Sequence, residues 1–259
     1  MPNQILIILA VSIAPYLQSL FFDFAFDDYL HIVSNSNLLS FAGLKEIWLT
    51  PLSPGNLWRP VLITSYWIQY KVTGLNPFWF HLVNLLLSVY CNYLIYIILK
   101  KVVNEKTSFV ITILFSLLPI HSEVIANVTG RSELLTHAFG LSSLYLALQY
   151  SSVLSIIPFL LACLTKESAI VYFPLFLLFL KFNSSDFIKT LRIKKYLLLA
   201  WGTTIVMFIF ARTAIVGLVK VAGTDITKLD NYLLKLAVLI EYLMQYFCFG
   251  NTLDLLLFL

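Results

Sequence analysis

Long apolar runs separated by short polar clusters set the pattern of this chain. The runs fall near residues 4–22, 78–99, 108–120, 134–149, 153–164, 168–181, 196–217 and 232–249. They are rich in Leu, Ile and Phe without alternating polarity, so they predict helices rather than barrel strands. Crossing a bilayer takes about 20 apolar residues. Several middle runs are shorter, which suits helices packed inside a bundle or ending at a water-filled cavity. The prediction is an all-α, polytopic integral membrane protein with about eight transmembrane helices. Residues 1–259 read as one transmembrane module, with no soluble domain, internal repeat or low-complexity tract. Ile5 to Leu20 lacks a basic leader and a small-residue cleavage site, so it reads as an uncleaved first helix.

Composition strengthens this reading. The chain is 60% hydrophobic and only 12% charged, and its mean hydropathy is +0.88. A soluble domain carries roughly 25% charged residues. The net charge of +4 comes from basic residues clustered at helix ends, which argues for no nucleic-acid partner. Cys91, Cys163 and Cys248 are scattered in apolar segments without paired spacing and read as packing residues.

Basic clusters give the orientation. Lys100, Lys101 and Lys106 form one; Lys181, Lys189, Arg192, Lys194 and Lys195 form another. With both cytoplasmic, the N-terminus is cytoplasmic too. Residues 23–77 then form a long first external loop, and His121 to Glu133 and Lys166-Glu167 emerge on the same luminal or periplasmic face. A loop of that length is usually functional. Its aromatic and apolar positions (Leu44, Ile47, Trp48, Leu57, Trp58, Trp67), mixed with the turn Pro51-Leu52-Ser53-Pro54-Gly55, predict interfacial helices.

The external polar residues carry the candidate chemistry. Asp27 and Asp28 follow the first apolar run in a protein with 13 acidic residues. An acidic pair leaving a membrane helix repels itself and loses solvation, so it reads as a catalytic carboxylate site. The competing reading is a hydrated interfacial turn. Glu123, Asn127 and Arg131 are spaced i, i+4, i+8 and would share one helix face. Beside Asp27 and Asp28 they would make a carboxylate-rich pocket with a guanidinium. Asp28, His121 and Glu123 offer the oxygen and imidazole donors of a divalent metal site (Mn or Mg) or of a proton relay. A capping cluster built on Ser122 and Glu123 is the alternative. Arg59, Arg131 and Lys166 are cations suited to a phosphate diester; snorkelling at the interface is the plainer reading of each alone. Glu167 follows Lys166, and His81 and Asn84 sit three apart after Asn76-Pro77, at a helix entry. Asn127-Val128-Thr129 matches a glycosylation sequon, but its place on the candidate site face argues against a glycan.

These residues recur as an ordered series: Phe26-Asp27-Asp28, Trp58-Arg59-Pro60, Gly74-Leu75-Asn76-Pro77 and His81-Leu82-Val83-Asn84. Pro119-Ile120-His121-Ser122-Glu123-Val124, Gly130-Arg131-Ser132-Glu133-Leu134-Leu135 and Lys166-Glu167-Ser168 complete it. The series resembles the transmembrane and TPR-repeat-containing protein O-mannosyltransferases and their bacterial relatives, which are GT-C glycosyltransferases. The resemblance covers roughly residues 20–175. It implies a GT-C-like fold and transfer of a sugar, mannose in the eukaryotic members, from a polyprenyl or dolichyl phosphate to a protein or glycan acceptor on the external face. It also implies a membrane-lipid environment, in a bacterial inner membrane or an endoplasmic reticulum.

The resemblance gives the residues roles. Asp27 or Asp28 would be the base on an acceptor hydroxyl, and Glu123 would belong to the same catalytic group. Arg59, Arg131 and Lys166 would hold the donor phosphate, supported by His121, His81, Asn84 and Glu167. The chain departs from the family by stopping inside the apolar run Leu253–Leu259 and by lacking a tetratricopeptide array, so it reads as truncated. Two other classes are weighed against this reading. A non-catalytic membrane scaffold would keep donor binding without transfer. An ion-coupled transporter would need midplane charges and inverted repeats, whereas the charges here lie at external ends.

Overall fold

The computed structural model describes residues 2–35, 38, 43–51, 57–150 and 152–216. The apolar stretch 232–249, Cys248, Leu253–Leu259 and Leu52–Gly55 lie outside the described residues. The described residues build an all-helical bundle. α1 (Pro2–Ile13) tightens into a 3₁₀ segment (Ala14–Phe21), and α2 (Gly43–Leu49) and α3 (Pro60–Thr73) follow in the first loop. Next come α4 (Pro77–Leu99), α5 (Glu105–Ser116), α6 (His121–Ala126) and α7 (Arg131–Tyr150). α8 (Ile156–Thr165), α9 (Tyr172–Phe182), α10 (Phe187–Ile193) and α11 (Lys195–Val216) complete the order.

Among the described residues, three helical segments are long and apolar enough to cross a membrane: Asn3–Phe21, Pro77–Leu99 and Lys195–Val216. Their 19, 23 and 22 residues correspond to roughly 30 Å each at about 1.5 Å per residue, near the hydrocarbon thickness. Local signals set the ends. Asn76 Oδ1 accepts the Phe78 amide and Pro77 occupies the first helical turn, so α4 starts where predicted. Asn104 caps α5 in the same way, through the Thr107 amide.

Buried polar side chains join α4 to α1. Asn92 Nδ2 donates to Ser12 Oγ at 2.8 Å, and Tyr96 donates to Gln4 Oε1 at 2.8 Å. Hydrogen bonds of this kind supply interhelical attraction where lipid removes the hydrophobic drive between helices. The second half of the bundle packs around Trp201. Its ring stacks on Phe159 at 4.2 Å and Phe176 at 5.1 Å, and its Nε1–H donates to Ser155 Oγ at 3.1 Å. Cys91 and Cys163 are buried free thiols, as packing residues should be.

The first loop is more deeply packed than an interfacial helix pair would be. α3 buries Leu62, Ile63, Tyr66 and Gln69 against the bundle. Trp58 is buried, with its Nε1–H donated to the Trp48 carbonyl at 3.1 Å. Trp48 and Leu44 stay exposed.

One local expectation is corrected. Glu123, Asn127 and Arg131 do not share a helix face, because α6 ends at Ala126 and α7 starts at Arg131. Asn127 is extended (φ −91°, ψ 130°), and its side-chain oxygen accepts both the amide and the hydroxyl of Thr129. That local turn competes with helix propagation. Ser122 and Glu123 make no side-chain cap for α6 either; the Ser122 hydroxyl turns back to the Pro119 carbonyl at 2.7 Å.

A candidate carboxylate site pinned to a buried arginine

The two acidic neighbours separate completely. Asp28 is fully buried and Asp27 is exposed. Asp28 Oδ2 accepts the Ala25 amide at 3.1 Å, and its Oδ1 accepts the Thr129 amide at 2.8 Å. A buried carboxylate is tolerated because such N–H bonds replace its lost hydration. Asp27 has no hydrogen-bond or ion-pair partner among the described residues. Before it, Phe26 holds a left-handed backbone (φ 43°) and is 91% exposed. An aromatic residue adopts that conformation only where the surroundings enforce it. Here the Asp28 amide donates to the Ala25 carbonyl at 2.9 Å and closes the turn.

The turn that receives Asp28 is itself fixed by Asn84 and Arg131. Asn84 donates to the Asn127 and Val128 carbonyls at 2.9 and 3.2 Å, and Tyr66 donates to the Val128 carbonyl at 3.1 Å. Arg131, 1% exposed, gives Nε to Asn84 Oδ1 and Nη2 to the Phe80 carbonyl, both at 2.9 Å. Its guanidinium lies 4.8 Å from the Tyr66 ring centroid and 5.3 Å from that of Phe80, within cation–π range. Arg131 therefore faces the core, with its Nε and Nη2 donating to protein acceptors. Burial pushes the Tyr66 hydroxyl well above its usual range, so it stays a donor. Gly130 is required by proximity: a Cβ there would stand 2.1 Å from the Val124 carbonyl oxygen.

His81 is buried beside this network and meets the Phe22 ring edge-on at 6.4 Å. Both of its ring nitrogens are buried without a hydrogen-bond partner among the described residues. His121 packs on Phe115 at 4.5 Å; its Nε2 is buried without a partner among the described residues. Burial lowers the basicity of this imidazole. Glu123 is exposed. Among the described residues no three His, Cys, Asp or Glu side chains gather closely enough to hold a metal ion, so Asp28, His121 and Glu123 stay apart.

The remaining predicted cations pair at this end of the bundle. Lys166 forms an ion pair with Glu133. Arg59 Nε stands 3.6 Å from Glu167 Oε2, and Arg212 Nη2 stands 3.6 Å from Glu167 Oε1. Arg212 escaped the sequence reading although the signal was there: it is the sole charge in the run 196–217, where an ionisable residue is costly. His137 also escaped it. Its Nδ1 shares a hydrogen bond with the Tyr172 hydroxyl at 2.7 Å, and Tyr172 packs so tightly on Gly140 that a Cβ there would meet its ring at 2.1 Å.

No family model matches the chain, and no solved structure matches it. Curated relatives do. The chain is 30% identical over 187 residues to protein O-mannosyl-transferase F38B6.6 of Caenorhabditis elegans, covering 67% of this chain and 27% of that protein. It is 31% identical over 149 residues to the human protein O-mannosyl-transferase TMTC3, covering 54% and 16%. With Drosophila melanogaster Tmtc1, also a protein O-mannosyl-transferase, it shares 28% identity over 179 residues, covering 62% and 21%. The chain thus spans about a quarter or less of these relatives' length. The family that the ordered motifs resemble is the one these relatives name: over half to two thirds of its length, this membrane protein is similar to protein O-mannosyl-transferases.

Proposed function

We propose that the chain is the membrane module of a glycosyltransferase that moves a sugar, mannose by analogy with its relatives, from a polyprenyl phosphate to an acceptor hydroxyl. About eight helices would cross the membrane in a single module, with the N-terminus cytoplasmic and the site luminal or periplasmic. The observation that carries this reading is the free carboxylate of Asp27 on a loop whose neighbour Asp28 is tied to the Thr129 amide. An unpaired carboxylate can accept a proton; one buried and bound by an amide on each oxygen serves position instead.

In the proposed step, Asp27 takes the proton of an acceptor hydroxyl, for example of Ser or Thr. That oxygen attacks the anomeric carbon of the donor, the carbon–oxygen bond to phosphate breaks with inversion, and polyprenyl phosphate leaves. The negative charge gathering on the leaving phosphate calls for fixed cations. Arg59 and Lys166 are candidates for that task, while Arg131 positions the turn that receives Asp28. No step is routed through a metal, because Asp28, His121 and Glu123 do not converge.

The test is transfer of labelled mannose from polyprenyl phosphate mannose to a Ser/Thr peptide by the chain in nanodiscs. Asp27→Asn should abolish product while leaving the melting temperature unchanged. Full turnover in that variant would overturn the assignment. Donor binding by wild type without any transfer would identify a scaffold instead.

A further inference from the structure

We propose that Arg59 and Arg212 form an anion site for the phosphate of a lipid-linked donor, and that Glu167 occupies this site as an internal counter-ion until the phosphate displaces it. The assignment of the ligand rests on the transferase reading; the site itself rests on packing.

The two guanidiniums are brought together by apolar contacts. Trp58 stacks on Phe208 with ring centroids 6.2 Å apart and planes 18° from parallel. Arg59 follows Trp58, and Arg212 lies one turn beyond Phe208 on the same face of α11. Trp58 is 5% exposed and its Nε1–H is held by the Trp48 carbonyl. The backbone positions from which both cations extend are thus set without help from Glu167. Two like charges placed side by side require an anion between them.

Glu167 meets that need incompletely. It presents one oxygen to each cation, both at 3.6 Å, whereas a charge-assisted N–H···O bond closes at about 2.7–2.9 Å. The Nε atoms of Arg59 and Arg212 are both buried without a hydrogen-bond partner among the described residues. One carboxylate against two guanidiniums leaves one positive charge in excess, since Lys166 is balanced separately by Glu133. A phosphate diester offers the same O–X–O bite with more acceptor capacity, and planar guanidiniums match it bidentately. Glu167 opens a short 3₁₀ segment (Glu167–Val171) and keeps 36% of its side chain accessible, so it can turn away to solvent.

The test uses the full chain in nanodiscs and a polyprenyl phosphate that carries no sugar, with uncharged polyprenol and inorganic phosphate as further probes. Arg212→Gln should weaken polyprenyl phosphate binding by roughly ten- to a hundredfold and leave polyprenol binding unchanged, with Arg212→Lys in between. Glu167→Gln should tighten binding, because the competing anion is gone. Wild-type affinity in Arg212→Gln would overturn the proposal. So would weaker binding in Glu167→Gln, which would make Glu167 a structural link. Inorganic phosphate binding as tightly as the lipid would overturn the lipid assignment. Because no transfer is read, Arg212-dependent binding alongside absent mannose transfer would refute the transferase reading and leave the anion site standing.

Discussion

Asp28 Oδ1 accepts the amide of Thr129 at 2.8 Å, across 101 positions of sequence. This bond joins the loop after the first membrane helix to the turn between α6 and α7. It also divides the acidic pair into a residue that holds the loop and a residue left free.

Asp27 and Asp28 should therefore respond differently to the same change. Asp28→Asn leaves one acceptor oxygen for two amides and turns an NH₂ toward one of them. It should lower stability by about 2 kcal/mol, read as a lower thermal midpoint in detergent. Asp27→Asn should leave that midpoint unmoved. Equal midpoints for the two variants would contradict the division.

Arg131→Met should destabilise the protein by about 3 kcal/mol, because it leaves Asn84 Oδ1 buried without its donor and takes from the Phe80 carbonyl the bond it makes beyond its own helix. Arg131→Lys should recover little, since an ammonium cannot reproduce the two-armed contact. The check is thermal unfolding of both variants beside wild type; a full rescue by Lys would show that charge alone matters there.

Gly130→Ala forces a methyl group to within 2.1 Å of the Val124 carbonyl oxygen. Backbone on both sides cannot yield cheaply, so the cost should be about 3 kcal/mol. The substitution should also move the Thr129 amide away from Asp28, which amide hydrogen exchange at Thr129 would report as lost protection.

His121 supplies a pH dependence. Burial holds its folded-state basicity below the ordinary value of 6.5, so the unfolded chain takes up the proton first as pH falls. Its contribution to stability is full above 6.5 and declines below it, toward the folded-state value. Replacing it by Phe, which can keep the contact with Phe115, should flatten the decline of the thermal midpoint below pH 6.5. An unchanged slope would assign the acid sensitivity to other groups.

Much of the helical framework was legible in the chain. The run 78–99 became Pro77–Leu99 and 196–217 became Lys195–Val216, because both are long apolar runs, and Asn76-Pro77 marks an entry that needs no tertiary partner. The convergence of Asp28, Asn84 and Arg131 was legible only in outline, as polarity on one side of the bundle. What was hidden is the break at Asn127. Spacing by fours describes a helix equally well whether or not an Asn side chain intercepts the next turns, and here it bonds Thr129 instead. The same limit concealed the difference between Asp27 and Asp28, since burial of one depends on an amide 101 residues away. Arg212 failed for another reason: its charge was visible, but its partner Glu167 lies on a different segment.

The Asp28–Thr129 bond also sets a schedule for synthesis. At about 5–20 residues per second, Thr129 leaves the ribosome roughly 5–20 s after Asp28. Throughout that interval the Asp28 carboxylate has to remain hydrated, because its amide partner does not yet exist. The acidic loop cannot take its final shape when the first helix inserts; it must wait, open to water, until the turn after α6 arrives to close it.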